Sequence, residues 1–389
     1  DLPVALGLLI ASQQLPEAIA HRREFFGELG LDGSIRQCRG VLSAVVAATE
    51  AGCACGVAID GASELASVAH SRIIAAPDLL SLCGQLQQPN PTLTVTSQSQ
   101  GSAPITYPDL SAIRGQPLLC RALELAATGG HHLLISGPPG IGKTPAASVL
   151  PGLLPPVTPA QRREVGLLRD LAGLPHCEGP PFRAPHHSSS IAALMGGTAR
   201  AIPGEISMAH AGVLFLDELP AFQRAALEAL RLPLETGQTS IARANAHVTY
   251  PARFQLIAAM NPCRCGYLGD PLNDDAATCN RAPKCGVDYQ SKISGPMFDR
   301  IDLHVEVPAV SAADLSRPAN SESSATIAKR VAQARNIQRQ RFLQIGNTEL
   351  RTNAEADGNL LEKIAAPVNE GRVLLTEATE KMRLTARGY

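Results

Sequence analysis

Between residues 131 and 144 the chain reads HHLLISGPPGIGKT, and no other stretch restricts its fold so tightly. Leu133, Leu134 and Ile135 form a short apolar run of the kind that becomes a buried strand, and Ala146 to Leu150 read as helix. Between them, from Gly137 to Thr144, lies G-x-x-x-x-G-K-T. A strand that turns through glycines into a helix start makes a cradle for phosphate. Gly137, Gly140 and Gly142 let the backbone come close and aim its N–H groups inward, while the helix dipole favours negative charge. Pro138, Pro139 and Ile141 complete the loop, Lys143 is expected on the β- and γ-phosphates, and the Thr144 hydroxyl on Mg²⁺. Pro145 follows at once, near the first helical turn, where proline is tolerated.

A second strand fits the same chemistry. In GVLFLDEL, Val213 to Leu216 run apolar into Asp217 and Glu218. A buried strand with two adjacent carboxylates at its carboxyl end suits a metal–phosphate site: Asp217 is expected to hold Mg²⁺ and Glu218 to polarise the attacking water. Alone the pattern is weak, since strands often end in Asp; after a phosphate loop, in this order, it is strong. The next apolar strand, FQLIAAM, runs into Asn261, which either orients the water and senses the γ-phosphate or simply forms the turn before Pro262. The residues alone imply a hydrolase that uses ATP and Mg²⁺ on an α/β fold.

At 389 residues the chain is long for one core and suggests two or three domains. Its 34 basic and 35 acidic residues nearly cancel, which argues against a generally basic nucleic-acid tail and leaves room for a local patch. Nothing approaches the roughly 18 consecutive apolar residues of a membrane span, so no membrane partner is expected. The run LPVALGLLIASQQL after Asp1 is too short to span and lacks the flanks of a signal peptide. It reads as a core helix of a domain whose beginning is absent, in a cytoplasmic chain. Residues 1–86 alternate apolar helices, small strands and glycine turns, and 87–106 are an uncharged linker rich in Gln, Pro, Ser and Thr. Residues 107–308 hold the buried-type strands HLLIS, GVLFLD, FQLIAAM and IDLHVEV with helices between, the mark of a parallel sheet. A spacer, 309–321, leads to a helical tail, 322–389, with Ile327, Val331, Ala334 and Ile337 expected on one face. Lys329, Arg330, Arg335, Arg339 and Arg341 on the remaining surface read as a solvated face or as a strip for nucleic acid.

Four of the ten cysteines, Cys263, Cys265, Cys279 and Cys285, fall in one short loop. Two readings stand, a tetrahedral structural Zn²⁺ site or reduced thiols, because the spacing is not a doubled C-x-x-C. The other cysteines sit among apolar residues as small core side chains. His186 and His187, in FRAPHHSSS, have no Cys or carboxylate at ligand spacing and read as a structural loop. GQTSIARANAHVTYPARF alternates about a polar centre, as a β-hairpin does, with Arg243 near the tip.

TYPDLSAIRGQ, GPPGIGKT, FRAPHH, PGEISMAHAGVLFLDELP, TYPARFQLIAAMNPC and ISGPMFDRIDLHVEVP, in that order, resemble the magnesium-chelatase-like AAA+ family, and more narrowly its ComM/YifB branch. The resemblance implies a P-loop AAA+ core with a parallel sheet, in an ATPase that assembles as a homohexameric ring. For the ComM type it implies a DNA helicase that promotes branch migration in natural transformation, with single-stranded or branched DNA as partner. It places Arg300, in GPMFDRID, as an arginine finger for a neighbouring subunit's site, against an intrachain pair with Asp299 or Asp302. Arg387, in LTARGY, matches a sensor arginine. In related rings the hairpin enters the central channel, so Arg243 is expected on DNA phosphate or in solvent. A Cys-paired insertion at this place in the branch favours the zinc reading.

The flanks carry the resemblance further. DLPVALGLLIAS and GELGLDGSIRQCRGVLSAVVAATEAG resemble an α+β Lon-protease-like domain. The protease's serine and lysine fall on Asp1 and Leu42, neither of which can do their chemistry, so this domain is expected to be peptidase-inactive. A partial helical lid follows the core, and Asp1 and Tyr389 are expected to be cut ends of a longer chain. Two rivals to the helicase remain: a magnesium-chelatase ATPase subunit acting in metal insertion into porphyrin, and a non-catalytic ATP-binding assembly module.

Overall fold

The computed structural model describes residues 1–88 except 66, 67 and 69; 105–310 except 176, 198–200, 244–245, 267, 269–278 and 280; and 322–382 except 349 and 357. Most of the expected linker and spacer, and Arg387, lie outside the described residues. The chain divides into two compact units, Asp1–Ile105 with Pro159–Glu178, and Thr106–Thr158 with Gly179–Tyr389.

The smaller unit sets helices on both faces of three parallel strands. In chain order it has α1 (Leu2–Ala11), β1 (Arg23–Phe26), α2 (Val41–Glu50), β2 (Ala54–Ala58), β3 (Ile73–Ala76) and α3 (Leu79–Leu86), with the strands ordered β1-β2-β3. The two-residue period of a strand splits its side chains between two cores. Cys55, Val57, Ile73 and Ala75 pack with Val41, Leu42 and Val45 of α2, while Ala58, Ile74 and Ala76 join Leu2, Leu6 and Leu82. Leu42, where the resemblance would put a catalytic lysine, is buried among hydrocarbon. The helix Pro159–Ala172 comes from the middle of the sequence block 107–308, yet it belongs to this unit. Its Asp170 accepts from the amides of Gly40 at 3.2 Å and Leu42 at 2.9 Å and so caps the start of α2.

The larger unit carries α4 (Pro117–Gly129), β4 (Leu133–Ser136), α5 (Lys143–Leu153), β5 (Phe182–Arg183), β6 (Val213–Leu216), the antiparallel hairpin β7 (Gln238–Arg243) and β8 (Ala246–Pro251), β9 (Gln255–Met260), α6 (Lys284–Gln290), β10 (Leu303–Glu306) and α7 (Ser324–Gln344). Five of the strands form one parallel sheet in the order β10-β4-β9-β6-β5. Leu133, Ile135, Val213, Phe215, Ile257 and Ala259 face a core shared with α4, α5 and α7. Leu134, Leu214, Leu216, Leu256, Ala258 and Met260 face the opposite core, with Phe222, Leu227 and Met297. Burial on both faces is why these strands read as unbroken apolar runs.

Helix α7 departs from the expected pattern. Ile327 and Val331 are buried, but Ile337 is 64% exposed and the face continues through Gln338 and Phe342. At about 100° per residue, position 338 lies roughly 20° from position 327 around the helix, whereas 337 lies roughly 80° away. Gln338 is held there by the Thr128 carbonyl and the Asn353 amide, each at 2.9 Å. The basic run is also partly spoken for. Arg330 bonds Glu124 and Glu322, Arg335 bonds the Ala127 carbonyl, and Arg341 bonds Asn353. These three guanidiniums tie the helix to its own unit, a use that neither expected reading of the run included.

Candidate nucleotide site

Strands β4, β9 and β6 are neighbours and parallel, so the residues after their carboxyl ends gather at one edge of the sheet. Gly137 leaves β4 in close quarters: its amide donates to the Met260 carbonyl at 3.2 Å, and a Cβ there would lie 2.4 Å from the Val307 carbonyl oxygen. Gly140 and Gly142 have φ of +81° and +84°, the left-handed conformation that favours glycine. Helix α5 begins at Lys143, which leaves Pro145 in the first turn, where no helical hydrogen bond is lost.

The Lys143 ammonium donates to the carbonyls of Gly137 at 2.8 Å and Pro138 at 2.9 Å, and to Asn261 Oδ1 at 2.9 Å. These three acceptors match its three protons. Burial pulls its pKa below the usual lysine value, against the pull of Asp217 and Glu218. The Thr144 hydroxyl donates to Asp217 Oδ2 at 2.7 Å, and the Glu218 amide to Asp217 Oδ1 at 2.9 Å. Glu218 itself sits at φ +52°, ψ +49°, an unusual backbone for a residue with a long side chain. The structure thus brings together Lys143, Thr144, Asp217 and Asn261, and sets Glu218 beside them.

Several groups at the site are given no role there by the linear sequence. The Gln116 side-chain amide donates to the Ile141 carbonyl at 3.0 Å and braces the loop from outside. Tyr289 of α6 lies against the Asn261 backbone amide; burial pushes its phenol pKa up, and the charges of Glu218 and Asp217 add to that. His187, read as part of a structural loop, comes within 3.7 Å of Glu218. All three meet the site through tertiary contacts, which residue spacing does not reveal.

Arg300 donates to the Pro296 carbonyl at 2.6 Å and pairs with Glu235, and its side chain is only 12% exposed. Asp302, one of the two partners considered from sequence, accepts from the His132 amide at 2.9 Å. The backbone of Arg243 ends β7 opposite Ala246, while its side chain and residues 244–245 lie outside what is described. Cys263, Cys265, Cys279 and Cys285 converge, with all four sulfurs within 4.8 Å of one another. Cys263 and Cys279 are buried, and Cys263 Sγ lies 3.1 Å from Cys265 Sγ. Among the described residues this is the only set of three or more potential metal-ligating side chains so gathered, and His186 and His187 are in none.

Three family models match the chain. "Magnesium chelatase, subunit ChlI" covers residues 109–315, its C-terminal counterpart 321–389, and "Subunit ChlI of Mg-chelatase" 1–59. The chain is 38% identical over 394 residues to YifB of Salmonella typhimurium, spanning all of this chain and 75% of that protein. It is 39% identical over 399 residues to competence protein ComM of Haemophilus influenzae, spanning all of this chain and 76% of that one. Over 168 residues it is 31% identical to the Holliday junction branch migration complex subunit RuvB of Clavibacter michiganensis subsp. michiganensis, 42% of this chain and 38% of RuvB. With the phosphate loop, the acidic strand end and the five-stranded sheet already in place, these matches show that the chain belongs to the AAA+ family of magnesium chelatase subunit ChlI, in the branch that holds YifB and ComM.

Proposed function

We propose that this protein is a Mg²⁺-dependent ATP hydrolase working as a ring-forming DNA motor of the ComM type, one that promotes branch migration in recombination. The observation that carries the hydrolase reading is the meeting of Lys143, Thr144, Asp217 and Asn261 at the ends of three adjacent strands. Thr144 and Asp217 offer hard oxygen donors side by side, which suits Mg²⁺, an ion that keeps most of its waters and takes few protein ligands. Bound there, Mg²⁺ would neutralise charge on the β- and γ-phosphates. Lys143 exchanges its loop and Asn261 oxygens for phosphate oxygens. Glu218 takes a proton from water as the water oxygen bonds the γ-phosphorus, and the bond to the bridging oxygen breaks with its electron pair leaving on ADP. Asn261, released from Lys143, orients that water. Arg300 serves a neighbouring subunit in a hexamer, which requires it to leave Glu235 on assembly.

The DNA part of the proposal rests on the likeness to ComM over the whole chain and to RuvB over part of it. The hairpin supports it by carrying Arg243 at the end of β7, next to the turn, as a contact to DNA phosphate without sequence preference. The cysteine set fits a structural Zn²⁺: with Zn–S bonds of about 2.3 Å a tetrahedral site holds its sulfurs about 3.8 Å apart, between the 3.1 Å of the Cys263–Cys265 pair and the 4.8 Å that bounds the set. The amino-terminal unit serves as a scaffold or partner-binding domain without peptidase chemistry. No helix among the described residues is long and apolar enough to cross a membrane.

The match to magnesium chelatase subunit ChlI keeps a second reading alive, an ATPase subunit of a magnesium chelatase. Phosphate release by wild type and Lys143→Ala, with and without forked DNA, separates the two. Turnover stimulated by DNA and lost in Lys143→Ala is expected. Turnover indifferent to DNA would return the chain to the chelatase reading, and nucleotide binding without turnover would make it an assembly module. Arg243→Ala should lower only the DNA-stimulated rate; equal loss of basal and stimulated rates, or no loss, would remove Arg243 from the channel.

A further inference from the structure

The left-handed backbone of Glu218, with its amide bound to Asp217, fixes the direction in which the side chain leaves the strand end. It does not fix the carboxylate, which lies beyond three rotatable bonds and is 58% exposed. That carboxylate is met by His187, whose Nδ1 lies 3.7 Å from Glu218 Oε2. The meeting follows from topology. His187 lies on the segment that leaves β5, β5 is the parallel neighbour of β6, and Glu218 follows β6, so both emerge at the same edge of the sheet.

The histidine is better anchored than the carboxylate. At the root of its loop, Arg183 grips both oxygens of Glu205 at 2.6 and 2.7 Å. Within the loop, the Ser189 amide donates to the His186 carbonyl at 2.9 Å, and His186 Nδ1 shares a 2.7 Å hydrogen bond with the Ser188 hydroxyl. At its far end the Ser190 side chain caps the next helix, accepting from the Ala193 amide at 3.1 Å. The His187 ring lies 4.1 Å from that of His186, centroid to centroid, and meets the Phe222 ring edge-on. The His187 side chain, 38% exposed against 58% for Glu218, is the more enclosed of the two partners.

We propose that His187 is a positioning residue for Glu218: its Nδ1–H donates to the carboxylate and holds it where it can take the proton of the attacking water. This rests on the hydrolase reading. A general base acts only within hydrogen-bond reach of its proton, so a carboxylate left to sample its rotamers spends less time in place. His187 touches neither nucleotide nor water in this scheme, so its removal lowers kcat and leaves nucleotide affinity alone.

The geometry selects the variants. Asparagine puts an amide nitrogen close to the Nδ1 position, glutamine puts one close to Nε2, and alanine supplies neither. His187→Ala and His187→Gln should lower kcat about tenfold, and His187→Asn should stay within about threefold of wild type. The KM for ATP, the affinity for a fluorescent ADP analogue and the thermal midpoint should not move. In a Glu218→Gln background, His187→Ala should cause no further loss, because the histidine acts through the carboxylate it positions.

Unchanged or raised turnover in His187→Ala overturns the proposal, as does an asparagine variant no better than alanine. A full loss that persists in the Glu218→Gln background overturns it too. If wild type binds the analogue but hydrolyses nothing, the hydrolase reading falls and takes this proposal with it, whereas the other outcomes strike the proposal alone.

Discussion

Each unit contains a buried parallel strand that runs into an aspartate, and the two aspartates serve different ends. After β3, Asp78 accepts from the Ser81 amide at 2.7 Å and the Ser81 hydroxyl at 3.0 Å, three residues along, and so caps α3. After β6, Asp217 accepts from Thr144, 73 residues away in the chain. The strands themselves do not tell the two apart; their neighbours do. β3 is the edge strand of its parallel sheet; Ser34 bridges the backbone of Asp78 from outside it, and the Asp78 carboxylate is left to its own helix. β6 lies next to β9, which lies next to the phosphate-loop strand β4, and three strand ends converge on one place. An acid at a strand end caps when its partner is local, and becomes available to chemistry when its partner heads another loop at the same edge of the sheet.

The largest test of this contrast exchanges the two acids for alanine. Asp217→Ala should cut turnover by about a hundredfold or more while the thermal midpoint barely moves. Asp78→Ala should do the reverse, lowering the midpoint and leaving turnover per folded molecule alone. Steady-state phosphate release and a circular-dichroism melt on both proteins decide it, and a turnover loss in Asp78→Ala would break the contrast.

The same contrast explains what the sequence discloses. HLLIS, GVLFLD and FQLIAAM announce themselves because a doubly covered parallel strand must be apolar throughout, whereas IDLHVEV, at the sheet edge, alternates buried Val305 with exposed His304 and Glu306. Strand β5 is two residues long, Phe182–Arg183, too short to leave a pattern. Lys143, Thr144 and Asp217 are legible because phosphate chemistry fixes both residue type and spacing. Gln116, Tyr289 and His187 are not, since each reaches the site by tertiary packing. Arg300 teaches the same lesson: a linear reading offers its neighbours Asp299 and Asp302, and the guanidinium pairs with Glu235 from much earlier in the chain. The helix Pro159–Ala172 looks like part of the block around it, and Asp170 bonding back to α2, with Leu167 against the core that α2 covers, shows where it packs.

A middle-sized effect is expected where the cysteine loop meets the site. Cys263 follows Asn261 by two residues, the Gln290 amide donates to the Pro262 carbonyl between them at 3.1 Å, and a Cβ on Gly266 would lie 2.6 Å from Pro139 Cδ of the phosphate loop. The thiol loop and the phosphate loop therefore share a wall. Protein purified without chelator should hold one zinc per chain by emission spectrometry. Stripping it, or Cys263→Ser, should lower the melting midpoint and weaken nucleotide binding several-fold. By linkage, bound nucleotide should raise zinc affinity by the same factor. Absence of zinc from the purified protein would leave four reduced thiols. Zinc whose removal does not touch nucleotide affinity would confine it to the loop.

The smallest effect compares the two caps of the amino-terminal unit. The Ser81 amide, and after it the Ser81 hydroxyl, hold the Asp78 carboxyl below the ordinary aspartate value. Burial instead pushes Asp170 above it, in spite of the amides of Leu42 and Gly40. An acid lowered on folding adds stability that is present above its unfolded value, about 3.9, and is lost as pH falls through the folded value. An acid raised on folding does the opposite: the folded state binds its proton more tightly, and stability falls as pH rises from the unfolded value through the folded one. The melting-midpoint difference between Asp78→Asn and wild type should therefore grow more negative from pH 3 to pH 6. The same difference for Asp170→Asn should grow more positive. Drift of both in the same direction would mean that burial does not separate these caps, and that distance to the hydrogen-bond partner alone decides what a strand-end or helix-end aspartate does.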